Sequence, residues 1–405
     1  MLRRAATVLA SAVVLSSAVA ACGSGGGAAS TSGDIEIGVY APLSGKLASA
    51  GTVLANGIKL GIDQANAAGG IDGRKIHLNV VDDTGTPSTA VTVATQLAGD
   101  KKTVAVIGSF GSSIGMPSSA ALEKARIPNI QAELSTPAAV DRGFKYLFNT
   151  YPLGTQTEDQ TFLTAVKNKQ MTPKRVALIY LDSPFATASA AHVAEQASDA
   201  GFSIVSDEKI QATQSSYAST LTKVKAQNPD TIWLAVNPDE AKTLLSNMQQ
   251  INLKPTNLYG EGNPLIDPTV TAAVGTLTEG VLVGTQWWPG SPTKANADFL
   301  NAYKAKYGET PGQMGPGGYQ AAQILVAALK TLKPAELTRD NLRKALANLQ
   351  STDTVYGPVT FGSNGQLEFK SLYLLQMQGG TAKVILPAEQ ATSGTKLIGY
   401  LGSAS

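Results

Sequence analysis

The chain has 405 residues, 43% of them apolar and 15% charged, which is enough for two or three domains with real cores and too apolar for a disordered chain. The formal charge is +2, an excess that Arg3 and Arg4 supply, and no Lys/Arg run offers a field for DNA or RNA. One cysteine, Cys22, and two histidines, His77 and His192, leave no intramolecular disulfide and no structural zinc site; no cofactor is expected.

Residues 1–4 are basic and 5–20 form an apolar run with small residues, short for a membrane span of about 20 residues and ending as a signal peptide does. The step Val19-Ala20-Ala21-Cys22 resembles the bacterial lipobox. That resemblance implies a lipoprotein signal peptide over 1–21, cleavage after Ala21 and lipid on the Cys22 sulfur. Residues 23–33, GSGGGAASTSG, read as a flexible tether. The expectation is a domain on the extracytoplasmic face of the cell membrane, held by its lipid anchor.

From residue 35 strands and helices alternate. Strands are predicted at 35–39, 75–81 and 103–107, and helices at 53–67, 88–97 and 118–125. The rhythm restarts after Tyr151-Pro152, with strands at 176–180, 203–205, 231–236 and up to 259, and helices at 188–200, 216–226 and 240–251. A strand at 280–285 and helices at 294–307 and 320–332 follow. The end reads as antiparallel strands at 359–361, 371–377 and 383–386. Short apolar strands between helices argue two α/β lobes, each a mainly parallel sheet covered on both faces. Such sheets bind ligands at the carboxyl ends of their strands, and two facing lobes make a cleft.

Several segments are candidates for chemistry. Gly108-Ser109-Phe110-Gly111-Ser112-Ser113 leaves a strand for a helix; free N–H groups and hydroxyls there suit a carboxylate, while a serine helix cap is the plainer alternative. Gly111-Ser112-Ser113-Ile114-Gly115 also fits G-x-S-x-G, the hydrolase elbow with Ser113 as nucleophile. Only His192 follows it, mid-helix, so a triad is not expected and neither is an enzyme. Gly45-Lys46 lacks the rest of a phosphate loop, and no G-x-G-x-x-G opens a helix. Glu261, in Tyr259-Gly260-Glu261-Gly262, is a candidate ammonium partner, with a solvated loop acid as the alternative. Trp287-Trp288 reads as packing, and His77 and His192 as structural or solvent-facing.

Gly38-Val39-Tyr40-Ala41-Pro42-Leu43-Ser44-Gly45, the run Ala68-Gly69-Gly70-Ile71-Asp72-Gly73-Arg74-Lys75-Ile76, the pair Asp82-Asp83 and Val355-Tyr356-Gly357-Pro358-Val359-Thr360-Phe361 resemble the periplasmic leucine/isoleucine/valine-binding proteins, the type I solute receptors of ABC importers. The resemblance runs from Ile35 to about Leu386. It implies a two-lobed fold with three crossings, placed near Pro152, Gly284 and Tyr356: residues 34–152 with 285–355 for one lobe, and 153–284 with 356–400 for the other. It puts the α-carboxylate on Ser112 with Ser113 beside it, a second polar contact on Ser135, an aromatic contact on Phe185 and the ammonium partner on Glu261. It also implies a monomer that hands a small polar solute, an amino acid in most relatives, to ABC permease subunits; a sensor on the same scaffold is the alternative. Glu133 stands where relatives have a small residue, which disfavours a plain aliphatic side chain and favours a polar, amide or cationic solute. A first-lobe aromatic falls on Ala50, and one near Val236-Asn237 is missing.

Overall fold

The structure, a computed structural model, describes residues 33–154, 157–212, 214–350, 352–369 and 372–402. The expected signal segment, Cys22 and nearly all of the tether lie outside the described residues. Among the described residues no helix is long and apolar enough to cross a membrane.

The first sheet is built from β1 (Ile35–Ala41), β2 (Ile76–Asp82), β3 (Thr103–Phe110), β4 (Asn129–Glu133) and β5 (Leu147–Asn149), with α1 (Ala48–Ala67), α2 (Pro87–Gly99) and α3 (Ser112–Lys124) between them. All pairs are parallel, in the order β2-β1-β3-β4-β5. Side chains of a strand alternate between faces. Accordingly Ile35, Ile37, Val39, Ala105 and Ile107 enter a core with α1, while Tyr40 and Val106 enter another with α2 and α3. β1 and β3 are thus buried nearly throughout, which is why they read as mainly apolar runs, while the edge strand β2 is more exposed.

After Asn149 the chain moves to a second sheet. It contains α4 (Glu158–Lys167), β6 (Arg175–Leu181), α5 (Pro184–Ala200), β7 (Ser203–Ile210), α6 (Ala218–Ala226), β8 (Thr231–Ala235), α7 (Pro238–Gln250), β9 (Asn257–Glu261), α8 (Pro268–Val274) and β10 (Leu282–Thr285). Its parallel part, β7-β6-β8-β9-β10, repeats the strand order of the first sheet. The core is separate and includes Phe162, Trp233 and Tyr259.

The chain then returns to the first core through α9 (Lys294–Tyr307), α10 (Met314–Leu329) and α11 (Arg339–Ala347); Ile324, Leu325, Leu342 and Leu346 are buried there with β1. α10 lies close against α1: a Cβ on Gly57 would stand 2.0 Å from the Gly315 carbonyl oxygen, and one on Gly318 2.2 Å from that of Leu54. This explains why α10 begins at Met314, six residues before the predicted start. Gly-Pro-Gly-Gly reads as a breaker, yet here the glycines permit backbone approach, and a proline is tolerated in a first turn.

The end of the chain departs from the expected division. β11 (Thr352–Thr354), β12 (Gly357–Phe361) and β13 (Leu367–Glu368) form a small antiparallel sheet. Val359 and Leu367 are buried in the first core, and the Asn149 N–H donates to the Gly365 carbonyl at 2.8 Å. β12 and β13, expected in the other lobe, thus pack on the first core. β14 (Tyr373–Gln378) and β15 (Thr381–Leu386) then extend the second sheet beside β10 as antiparallel strands.

Candidate functional site

In both sheets the strand order reverses between the first and third parallel strands, the point where open α/β sheets present a ligand crevice. Segments leaving β3, β4, β6, β8 and β9 at their carboxyl ends line one cavity of about 290 Å³. All six residues singled out above, Ser112, Ser113, Glu133, Ser135, Phe185 and Glu261, line that cavity.

One wall is set by the β3–α3 turn. Gly111, at φ 87°, turns the chain, and its N–H donates to the Glu133 carbonyl at 3.0 Å. A positive φ suits glycine, which has no Cβ to clash. Ser112, first in α3, accepts at Oγ from the backbone N–H groups of Ser135 and Thr136, both at 3.3 Å. Its side chain is thus held by the segment after β4, and its hydroxyl proton is left to donate. The leading N–H groups of α3 have no intrahelical acceptor and sit at the positive end of the helix dipole. Ser113 is exposed in the same turn. It is not among the residues with positive φ, so it lacks the strained turn of a nucleophile elbow.

The other wall carries Glu261, the last residue of β9 and only 2% exposed. Oε1 accepts from Ser189 Oγ at 2.6 Å, and the Asp159 carboxyl lies within hydrogen-bond reach of this one. The solvated-loop reading therefore does not apply. Burial first, then the charges of Asp159 and Glu158, push this carboxyl well above its usual range, against the pull of the Ser189 bond. Phe185, in the first turn of α5, is half-buried, and its ring lies 3.1 Å from where a Cβ on Gly154 would stand.

Glu133 ends β4 and is buried, with Oε1 unpartnered; burial, then the charge of Glu158, raise its pKa well above normal. The sequence reading missed Glu158, Asp159 and Tyr151. Glu158 and Tyr151 line the cavity. Glu158 opens α4, is 2% exposed and leaves Oε2 unpartnered; burial and then Asp159 hold its pKa well above normal. Asp159 is fully buried beside it, its pKa raised by burial while His192, whose Nδ1 lies 3.2 Å from Oδ2, opposes that rise. An acidic pair in a helix's first turn ordinarily reads as a solvated complement to the dipole. The available signal was spacing: Glu158 precedes the buried Phe162 by one helical turn and so shares its inward face.

The remaining candidates are structural. Trp287 donates from Nε1 to Asn296 Oδ1 at 2.7 Å, and Trp288 packs edge-on against Tyr373. His77 pairs with Glu36 across β1 and β2 at 2.9 Å. Ala50 lines a groove that shares Phe110 and Met314 with the cavity but is not in the cavity wall itself.

Two sheets of matching strand order, with one cavity at the carboxyl ends of both, define a binding protein of the two-lobed α/β class. The chain belongs to the periplasmic binding protein family, whose model matches residues 34–382. It is 27% identical over 377 residues to Leu/Ile/Val-binding protein homolog 8 of Brucella abortus, covering 88% of this chain and 92% of that protein. It is 25% identical over 388 residues to homolog 7 of the same organism, covering 91% and 95%. In fold it is similar to the branched-chain amino acid transporter substrate binding protein LivJ of Streptococcus pneumoniae in complex with isoleucine, with a TM-score of 0.77, 24% identity, and coverage of 87% of this chain and 99% of that one. The family binds solutes and is not a family of enzymes, and nothing in it supports the hydrolase reading.

Proposed function

We propose that this protein is the extracytoplasmic solute receptor of an ABC importer and that its solute is an amino acid or a close polar relative. One observation carries the reading: hydroxyls and helix N–H groups from the first lobe and a buried carboxyl from the second line the same small cavity. The solute carboxylate meets Ser112, the Ser113 N–H and Ser135. The lobes then close, bringing Phe185 over the solute and Glu261 to its ammonium. Closure removes water, so the ion pairs strengthen as the local dielectric falls. The closed form docks on the permease, and no covalent step is needed. Residues 1–21 act as the export signal, lipid on Cys22 holds the mature protein to the membrane at about 0.8 kcal/mol per buried CH₂, and the protein works as a monomer.

A thermal-shift panel of amino acids, short amides, urea and polyamines tests this reading. A true ligand at 100 times its Kd adds about 2.7 kcal/mol of stability. If no amino acid raises Tm at millimolar concentration, the reading fails.

A further inference from the structure

A zwitterion with an aliphatic side chain brings one positive charge and needs one carboxylate. The cavity wall supplies three, Glu133, Glu158 and Glu261, each at least nine-tenths buried, and Glu133 and Glu158 each have one oxygen with no partner. No described lysine, arginine or histidine lines the cavity. Buried carboxyls normally find a cation, a donor or a proton, and here protein cations do not fill that role.

The three are electrostatically linked. The charge of Glu158 acts on Glu133 at one end and on Glu261 at the other. Burial is the leading cause that raises the pKa of all three. A cation entering the cleft would draw them into their charged form. Three aromatic residues, Phe110, Tyr151 and Phe185, share the wall, and aromatic faces suit cations. The start of α3 and the Ser112 hydroxyl, held by the backbone of Ser135 and Thr136, suit the solute's anionic end.

We propose that the solute is a basic amino acid, with its carboxylate at the start of α3, its α-ammonium at Glu261, and a second, side-chain cation between Glu158 and Glu133. The proposal rests on the amino-acid reading above and narrows it. The aliphatic side chain of a leucine or isoleucine would leave Glu158 and Glu133 facing hydrocarbon without a partner. Lysine, ornithine and arginine place a charged group at that end.

Calorimetric titration of the purified protein with L-lysine, L-arginine, L-norleucine and cadaverine tests it. Norleucine keeps the lysine chain without its terminal amine, and cadaverine keeps both amines without the carboxylate. The expected result is that lysine or arginine binds at least tenfold tighter than both controls. Glu158→Gln should bring lysine to within threefold of norleucine; Glu133→Gln is a second variant with the same expectation, and thermal melts check that each is folded. Norleucine or leucine binding as tightly as lysine overturns the second cation while leaving the amino-acid reading standing. Cadaverine binding as tightly as lysine overturns the carboxylate end. Absence of saturable binding by every amino acid overturns the underlying amino-acid reading itself.

Discussion

Glu261→Gln separates a binding role from a structural one. The oxygen that faces Ser189 at 2.6 Å is kept as an amide oxygen, so the Ser189 hydroxyl still has its acceptor. What is lost is the charge that would meet an ammonium. Were Glu261 exposed, that charge would contribute only about 0.2–1 kcal/mol. At 2% exposure it falls in the buried regime, where removing one partner costs about 2–5 kcal/mol. Part of that is offset, because burial, Asp159 and Glu158 all disfavour the charged form of this carboxyl. The lower end, about 2–3 kcal/mol, is therefore expected, an affinity loss of about 30- to 150-fold. Calorimetry with the amino acid that gives the largest thermal shift measures it. The ligand-free variant should melt near the parent temperature, since the amide oxygen keeps the Ser189 bond. An affinity within threefold of the parent, about 0.7 kcal/mol, would refute the ammonium assignment.

Three further outcomes are expected. The empty protein should lose stability as pH rises from 5 to 8. Glu133, Glu158, Asp159 and Glu261 all have raised folded-state pKa values, and His192 is raised by its bond to Asp159, while Tyr151, Tyr259 and Tyr356 packed on them stay neutral. For every raised group the stabilising term is complete below its ordinary value and fades as pH climbs through the folded one, so melts showing Tm rising over this window would contradict the assignment. Gly284→Ala should destabilise by about 1–3 kcal/mol, because its Cβ would stand 2.0 Å from Tyr259 Oη and 2.8 Å from the Glu158 carbonyl, a pair now hydrogen-bonded at 2.6 Å; a chemical-denaturation midpoint equal to the parent's would count against this packing. Cys22→Ala should shift the protein from the membrane fraction to the soluble extracytoplasmic fraction, and continued sedimentation with membranes would dispose of the lipid anchor.

Much of the architecture was legible because its signals are local. β1 and β3 are mainly apolar and buried nearly throughout, and Gly201 and Gly308 stop α5 and α9 in left-handed geometry. The hidden elements lacked such marks. β4 and β5 are five and three residues long and owe their existence to neighbouring strands. α3 starts six residues before its predicted position, with Pro117 accommodated inside it. The packing of β12 and β13 on the first core was not legible, because the pairing of Gly365 with Asn149 joins residues far apart in sequence. The site divides in the same way. Ser112 and Glu261 stand at strand ends beside glycines, a local pattern, and both line the cavity. Glu158 and Asp159 look like an ordinary acidic helix start, and only the packing of α4 against β10 and β9 turns them inward.

The central claim is that one solute spans the start of α3 and the end of β9. A crystal structure grown with the amino acid that most raises Tm tests it directly. The account predicts its carboxylate within hydrogen-bond distance, about 2.7–3.2 Å, of Ser112 Oγ or the Ser113 N–H, and its ammonium equally close to a Glu261 oxygen. A solute seated elsewhere, or reversed with its ammonium at Ser112, would contradict it.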